Sequence, residues 1–218
     1  MDKSDICILI AIPVYKNVEI DFFKSFVDAI TYLSEKNWRY GYIIHKSSFL
    51  QTSRDEISNQ FLIEKQFTHL LFLDSDIKFS GKDVEMLIEA SIKHKTKITC
   101  GLYPLKNLNT QYVANPVENP EQRGSLIEVM HAGTGFMLIE KEVFGLLKPV
   151  VKQYKFSSPT FDLLSGYFQP EYNKKTKVMC TDDWAFCERA RSIGIKTFVH
   201  SEIKLGHIGE FDYSLLMR

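Results

Sequence analysis

Residues 70–79 read LLFLDSDIKF, in which four apolar residues run straight into Asp74, Ser75 and Asp76. An apolar run of this length reads as a buried strand. On extended backbone, residues i and i+2 point the same way, so Asp74 and Asp76 converge while Ser75 turns aside. Two neighbouring carboxylates repel unless one is protonated or a cation bridges them. Their oxygens suit Mg²⁺ or Mn²⁺, and an added imidazole tilts the choice toward Mn²⁺. An ion held this way keeps positions open for phosphate oxygens. The pair therefore predicts a metal–diphosphate site at a strand end. The plainer reading is an Asp pair that forms a turn or caps a helix ahead of Ser80, since Asp-x-Asp alone recurs in many proteins.

Such a pair needs a scaffold, and the first half of the chain spells one. Ile6 to Ile12 reads as a strand stopped by Pro13, followed by a loop, VYKN. Asn17 is placed to cap a helix whose buried face is Phe22, Phe26, Ala29, Ile30 and Leu33. Tyr40 to His45 reads as a second strand. Ser53 opens Ser-Arg-Asp-Glu, a capping-box pattern ahead of Ile57, Phe61 and Glu64. His69 to Leu73 is the third strand, Ser80 with Asp83 caps a helix to about Lys93, and Lys97 to Tyr103 is a further strand. Alternating strands and helices predict parallel βαβ units with helices on both faces. Ligands bind outside the carboxyl ends of such strands, where VYKN, the segment after His45, DSD and PLKN from Pro104 would gather.

The second half is less regular. Residues 107–125 are polar and rich in Asn and Pro, and read as a mobile loop. Met130 to Ile139 reads as one strand-like segment with two glycines. Residues 152–177 read as an aromatic loop carrying Tyr154, Phe156, Phe161, Tyr167, Phe168 and Tyr172. Thr181 or Asp182 starts a helix with Phe186, Ala190 and Ile193, stopped by Gly194, and Lys196 to His200 is a last strand before the tail IKLGHIG.

The bulk numbers exclude several classes. The 218 residues suffice for one good core and are short for two. Lys plus Arg and Asp plus Glu each number 27, so nothing in the net charge argues for nucleic acid or an anionic membrane as partner. The apolar run Ile6 to Val14 is too short to span a bilayer and no small-residue cleavage site follows it, which predicts no membrane insertion and a soluble, intracellular protein. The four cysteines form no C-x-x-C pair and read as buried reduced thiols; Cys180 and Cys187 match no usual zinc spacing.

Five segments, IAIPVYKN, LLFLDSDIKF, AGTGFMLIEKEVF, TDDWAFCERARSIGI and LGHIG, occur in an order that resembles nucleotide-sugar-dependent glycosyltransferases of the GT-A fold. The resemblance runs from Ile8 to Gly209 and is nearest to small glycosyltransferase domains of chlorella-virus proteins. It implies a single α/β domain with a mixed, mostly parallel sheet, residues 1–106 forming the nucleotide-binding half and 107–218 the acceptor-binding half. It implies transfer of a hexose or deoxyhexose from a UDP-sugar to a carbohydrate acceptor in viral glycoprotein glycan synthesis, with Mn²⁺ or Mg²⁺ as cofactor, in the cytoplasm (the host's, if viral). By the same resemblance Asp76 binds the metal directly, Asp74 contacts the ribose or the metal's water shell, Ser75 lies against the nucleotide, and His207 completes the metal shell. Pro13, Val14 and Tyr15 cradle uridine, and Arg54 sits near the base or diphosphate. Gly133, Thr134 and Gly135 approach the sugar, and Trp184 joins an acceptor wall. Asp182 and Asp183 form an acidic pair, of which Asp183 is the expected catalytic base of an inverting reaction.

Each assignment has a bland counterpart. His207 could be a solvated loop histidine, although its flanking glycines allow close backbone approach. Asp182 and Asp183 could merely favour a helix N-terminus. Arg54 could be a surface residue, and Tyr15 and Trp184 packing. Three rival functions also fit parts of the chain: a haloacid-dehalogenase-type phosphatase, a nucleotidyltransferase, and a non-catalytic carbohydrate-binding module. The first expects Thr or Val where Lys78 stands, the second a Gly-rich basic loop where VYKN stands, and the third needs no paired acids.

Overall fold

Side chains that alternate between the two faces of each strand set the layers. The structure, a computed structural model, describes residues 3–107, 111–156, 160–174 and 177–209. After a short 3-10 turn, Lys3–Asp5, the chain forms β1 (Cys7–Val14), α1 (Ile20–Glu35), β2 (Arg39–Lys46), α2 (Leu50–Ile63), β3 (His69–Leu73), β4 (Ile77–Lys78), α3 (Gly81–His94) and β5 (Ile98–Leu102). The second half adds β6 (Ala114–Pro116), β7 (Gln122–Arg123), β8 (Leu126–Ala132), β9 (Phe136–Glu140), α4 (Lys141–Leu147), β10 (Gln153–Tyr154), β11 (Leu164–Ser165), β12 (Glu171–Asn173), β13 (Val178–Cys180), α5 (Asp182–Ser192), β14 (Thr197–Lys204) and β15 (Gly206–His207).

The main sheet runs β2-β1-β3-β9-β5-β14-β8-β6, with β7 beside β8. Pairing is parallel for β2–β1–β3 and for β5–β14, and antiparallel at β9 and β8, so along that path all strands but β9 and β8 point the same way. This is the mixed, largely parallel α/β sheet expected, in a single domain.

Side chains alternate between two cores, one per face. Ile8, Ile10 and Ile12 of β1, Leu71 and Leu73 of β3, and Phe136 and Leu138 of β9 pack under Phe22, Phe26, Ala29 and Leu33 of α1 and Val84, Leu87 and Ile88 of α3. Leu9 and Ala11, Leu70 and Phe72, and Met137 and Ile139 face α2, α4 and α5 through Ile57, Phe61, Phe144 and Phe186. A sheet covered on both faces reads as continuous apolar runs, which is why LLFL and CILIAI show no polar alternation. All four cysteines are buried and free, as expected.

Several expected boundaries move. β1 continues through Pro13, opposite His45, to Val14. Its pairing with β3 ends at Ala11, so beyond that point β1 has no second neighbour and the missing proline N–H breaks no ladder on that side. Asn17 caps nothing: α1 starts at Ile20 after Glu19, and Asn17 instead accepts a hydrogen bond from Ser75 Oγ through its carbonyl (3.3 Å). Ser53 lies inside α2, which begins at Leu50; its N–H donates to the Phe49 carbonyl and its Oγ lies 2.8 Å from His45 Nδ1. The capping box of Ser80 and Asp83 is present as read. Residues 107–125 carry β6 and β7 rather than only a loop, apart from 108–110, which lie outside the described residues. The Met130–Ile139 segment is two strands that do not pair with each other, joined through Gly133–Thr134–Gly135. The described part of residues 152–177 holds three short strands, and its Tyr167 and Phe168 are core; positions 157–159 and 175–176 lie outside the described residues. α5 ends at Ser192, with Gly194 at φ +81° in the left-handed region that favours glycine after a helix. β14 runs on from His200 to Lys204 through an irregular register.

Candidate active site

The carboxyl ends of β1, β3 and β5 converge as the parallel order requires. A cavity of about 430 Å³ opens there, lined by Pro13, Tyr15, Asp74, Ser75, Asp76 and Lys106, with Lys16, Asn17, Glu19, Leu50, Ile208 and Gly209 completing it. It brings together four residues from the expected nucleotide loop and acid pair on β1 and β3, plus Ser75. Val14 is buried beside them and does not line it.

Asp74 and Asp76 share the cavity by a different geometry from the extended one expected. The Asp74 carbonyl accepts from the Ile77 N–H at 3.1 Å, so residues 74–77 turn. The turn lets Ile77 bury fully and β4 pair with β15, which aligns His207 with Ile77. The Ile208 N–H then donates to the Asp76 carbonyl at 2.8 Å. The tail thus straps itself onto the acid pair.

The two carboxylates have different partners. Asp74 Oδ1 accepts from Arg54 Nη2 at 2.7 Å, while its N–H donates to the Gly135 carbonyl. Asp76 Oδ2 accepts from Lys106 Nζ at 2.5 Å and lies 3.7 Å from His207 Nε2. Burial and the neighbouring Asp76 charge raise the Asp74 pKa, with Arg54 pulling against them. Burial would also raise Asp76, but hydrogen bonds from His207 and Lys106 outweigh it and hold its carboxyl below the ordinary value.

Arg54 is the hinge of the site. It is only 4% exposed, beneath the cavity, and pairs with Asp74 on one side and Asp182 on the other. Burial alone would lower its pKa; the charges of Asp74 and Asp182 raise it instead. Its Nε has no partner among the described residues.

His207 carries the features of a poised ligand. Its Nδ1 lies 2.8 Å from the Pro104 carbonyl, which can only accept, so Nδ1 bears a proton and Nε2 is the nitrogen turned toward Asp76. Metal-binding histidines are oriented in this way, with the second nitrogen donating to a backbone carbonyl. Tyr103 packs edge-on against the same ring at 5.3 Å. Among the described residues no three His, Cys, Asp or Glu side chains are gathered around one point. Asp76 and His207, with Asp74 alongside, nevertheless suit Mn²⁺ or Mg²⁺, which bind through one or two carboxylates and take the rest of their shell from water and phosphate.

Asp182 and Asp183 open α5 outside the cavity lining. Asp182 is committed to Arg54. Asp183 Oδ1 accepts from Thr181 Oγ1 at 2.6 Å and from the Trp184 N–H at 2.8 Å, and Oδ2 has no hydrogen-bond partner among the described residues. Burial raises the Asp183 pKa. Trp184 stacks on His131 with ring centres 4.7 Å apart and planes 6° apart, and His131 Nε2 lies 2.8 Å from Glu188 Oε1. Gly133 and Gly135 have a packing reason: a Cβ on Gly133 would meet the Tyr103 hydroxyl at 2.1 Å, and one on Gly135 would meet it at 2.8 Å. That hydroxyl accepts the Gly135 N–H at 2.9 Å, and Thr134 is buried between them. The loop PLKN stands at this edge as expected and supplies Lys106 and the Pro104 carbonyl, although the sequence assigned no role to either or to Tyr103. The signal available for them was position alone, just past the end of β5 on the edge where ligands bind.

No family model and no curated protein sequence matches the chain. Solved structures do. A197 from STIV is similar at TM-score 0.58 and 21% identity, covering 94% of this chain and 86% of that one. GalNAc-T7, solved with UDP, GalNAc and Mn²⁺, is similar at TM-score 0.59 and 10% identity over 95% of this chain and 45% of that one. The chain has the GT-A glycosyltransferase fold. A glycosyltransferase involved in glycosylation of the major capsid of PBCV-1 overlays at TM-score 0.38 with 16% identity, over 64% of this chain and 62% of that one, too little to bear on the fold. In the GT-A fold seen here the acid pair ends the third strand, next to antiparallel β9. Among the described residues no helix is long and apolar enough to cross a membrane.

Proposed function

We propose that the chain is a divalent-cation-dependent glycosyltransferase that moves a hexosyl or deoxyhexosyl group from a UDP-sugar to a carbohydrate acceptor. The observation that carries this reading is the pairing of Asp76 with an Nδ1-protonated His207 on the wall of a cavity shared with Pro13 and Tyr15. The presence of UDP, GalNAc and Mn²⁺ in GalNAc-T7 supports the choice of ligands. Asp76 and His207 would hold Mn²⁺ or Mg²⁺, which when bound supplies Lewis-acid neutralisation of the leaving diphosphate. Pro13 and Tyr15 face the nucleoside, and Ser75 lies against it. Arg54 keeps Asp74 ionised and aimed at the cavity rather than touching the donor, since it is itself buried. The open Oδ2 of Asp183 takes the acceptor hydroxyl proton in an inverting transfer, with Asp182 held back by Arg54. Trp184, braced by His131, offers a ring for the acceptor.

UDP release from a panel of UDP-sugars, with Mn²⁺ and with EDTA, tests the reading. Metal-dependent release from one sugar is expected. Phosphate release without nucleotide or acceptor would return the phosphatase reading, and no release together with no UDP binding would return the binding module.

A further inference from the structure

Among the described residues Lys106 holds Asp76 more closely than any other side chain does, and the functions assigned so far give it no part. Its Nζ is 2.5 Å from Asp76 Oδ2, both side chains are about one-third exposed, and both line the cavity. The backbone just before it is held by two hydrogen bonds. The Pro104 carbonyl fixes the His207 tautomer, and the Leu105 N–H donates to the Gln111 carbonyl at 2.8 Å. Lys16 is the other basic residue of the lining, and its Nζ sits over the Tyr15 ring at 5.3 Å, away from the acids.

Two cations cannot both sit against one carboxylate oxygen without repelling. Lys106 therefore occupies Asp76 only until a divalent cation claims it. A lysine is a point charge on a flexible four-carbon stem, so its head can move several ångströms while its backbone stays anchored. The anion that accompanies a divalent cation into this cavity is, on the reading above, a nucleotide diphosphate. We propose that Lys106 is an exchangeable counter-ion. It neutralises Asp76 in the cation-free site, then turns to the donor's diphosphate once the metal is bound. This rests on the glycosyltransferase reading. It makes metal and nucleotide binding interdependent, because Lys106 opposes the metal alone and favours the nucleotide that follows.

The test is titration calorimetry with Mn²⁺ alone, and with UDP in saturating Mn²⁺, on wild type, Lys106→Ala and Lys106→Arg. Thermal melts of all three confirm folding. Removing a competing pair of this exposure should tighten Mn²⁺ binding by about three- to fivefold. Removing a charge-assisted hydrogen bond to phosphate should weaken UDP binding roughly tenfold or more. Lys106→Arg should stay near wild type in both. The opposite signs exclude general damage, which would weaken both. Unchanged affinities in Lys106→Ala, or both weakened, overturn the exchange while leaving the glycosyltransferase reading intact. Tighter Mn²⁺ binding together with weaker UDP binding in Lys106→Ala supports the exchange, and either change without the other overturns it. No Mn²⁺ or UDP binding in any protein overturns the exchange and the function together.

Discussion

Each of the four acids, Asp74, Asp76, Asp182 and Asp183, has its own environment, and that separates their roles. Asp76 is the one facing His207, so Asp76→Ala should abolish Mn²⁺-dependent UDP release while circular dichroism and the melting temperature stay near wild type; normal turnover would remove it from the metal shell. Burial raises the Asp183 pKa, and its Oδ2 has no hydrogen-bond partner among the described residues, both of which suit a general base. Asp183→Asn should lower kcat by about 100- to 10,000-fold with UDP affinity kept. If Asp182→Asn shows that pattern and Asp183→Asn does not, the base is Asp182. Arg54 should behave as a structural residue. Removing it leaves Asp74 and Asp182 without their shared cation, so Arg54→Ala should cost about 3 kcal/mol in urea unfolding.

At the scale of elements, a buried carboxylate helps bind α2 to the irregular second half, alongside Asn59 and the Ser165 backbone. Asp55 accepts from the Phe168 N–H, the Tyr154 hydroxyl and the Gln169 amide at 2.7 to 2.8 Å. Asp55→Ala strands three donors and should destabilise by about 3–5 kcal/mol, visible as a lower urea midpoint and faster proteolysis of residues 150–170. The sequence gives no hint of this contact, since it joins residues 99 to 114 positions apart. Local patterns were readable: the apolar runs of β1 and β3, the faces of α1, and the capping box at Ser80. Asn17 and Ser53 do not mark helix starts: α1 begins three residues after Asn17, and α2 begins three residues before Ser53, whose hydroxyl turns to His45. Likewise Asp74 and Asp76 were legible as a pair, while the turn that aims them depends on β15, more than 120 residues further along. Lys106 gave no pattern to read, because one lysine in a loop is chemically ordinary until Asp76 is placed beside it.

At the scale of the whole molecule, two buried titrating groups oppose each other. Burial pulls His69 down to about 4 and pushes Asp55 up to about 6. As pH falls from 6.5 to 4, the unfolded chain protonates His69 and the native state resists, which costs roughly 3 kcal/mol. Between pH 6 and 4 the native state takes up a proton at Asp55 that the unfolded chain does not, which returns a similar roughly 3 kcal/mol. Stability from this pair should therefore be nearly level across that range. His69→Gln should unmask a rise in stability on acidification, and Asp55→Asn a fall, when urea unfolding is followed from pH 7 to 4.5. The sheet order carries a consequence of a different kind, in time rather than energy. β9 lies between β3 and β5 although more than thirty residues separate it from β5. A nascent chain that has emerged only as far as residue 106 would present two bare apolar strand edges, β3 and β5, with nothing to join them. The gap between β3 and β5 closes only when β9 emerges, and the other edge of β5 stays bare until β14 follows, so unpaired strand edges that favour aggregation persist through most of synthesis.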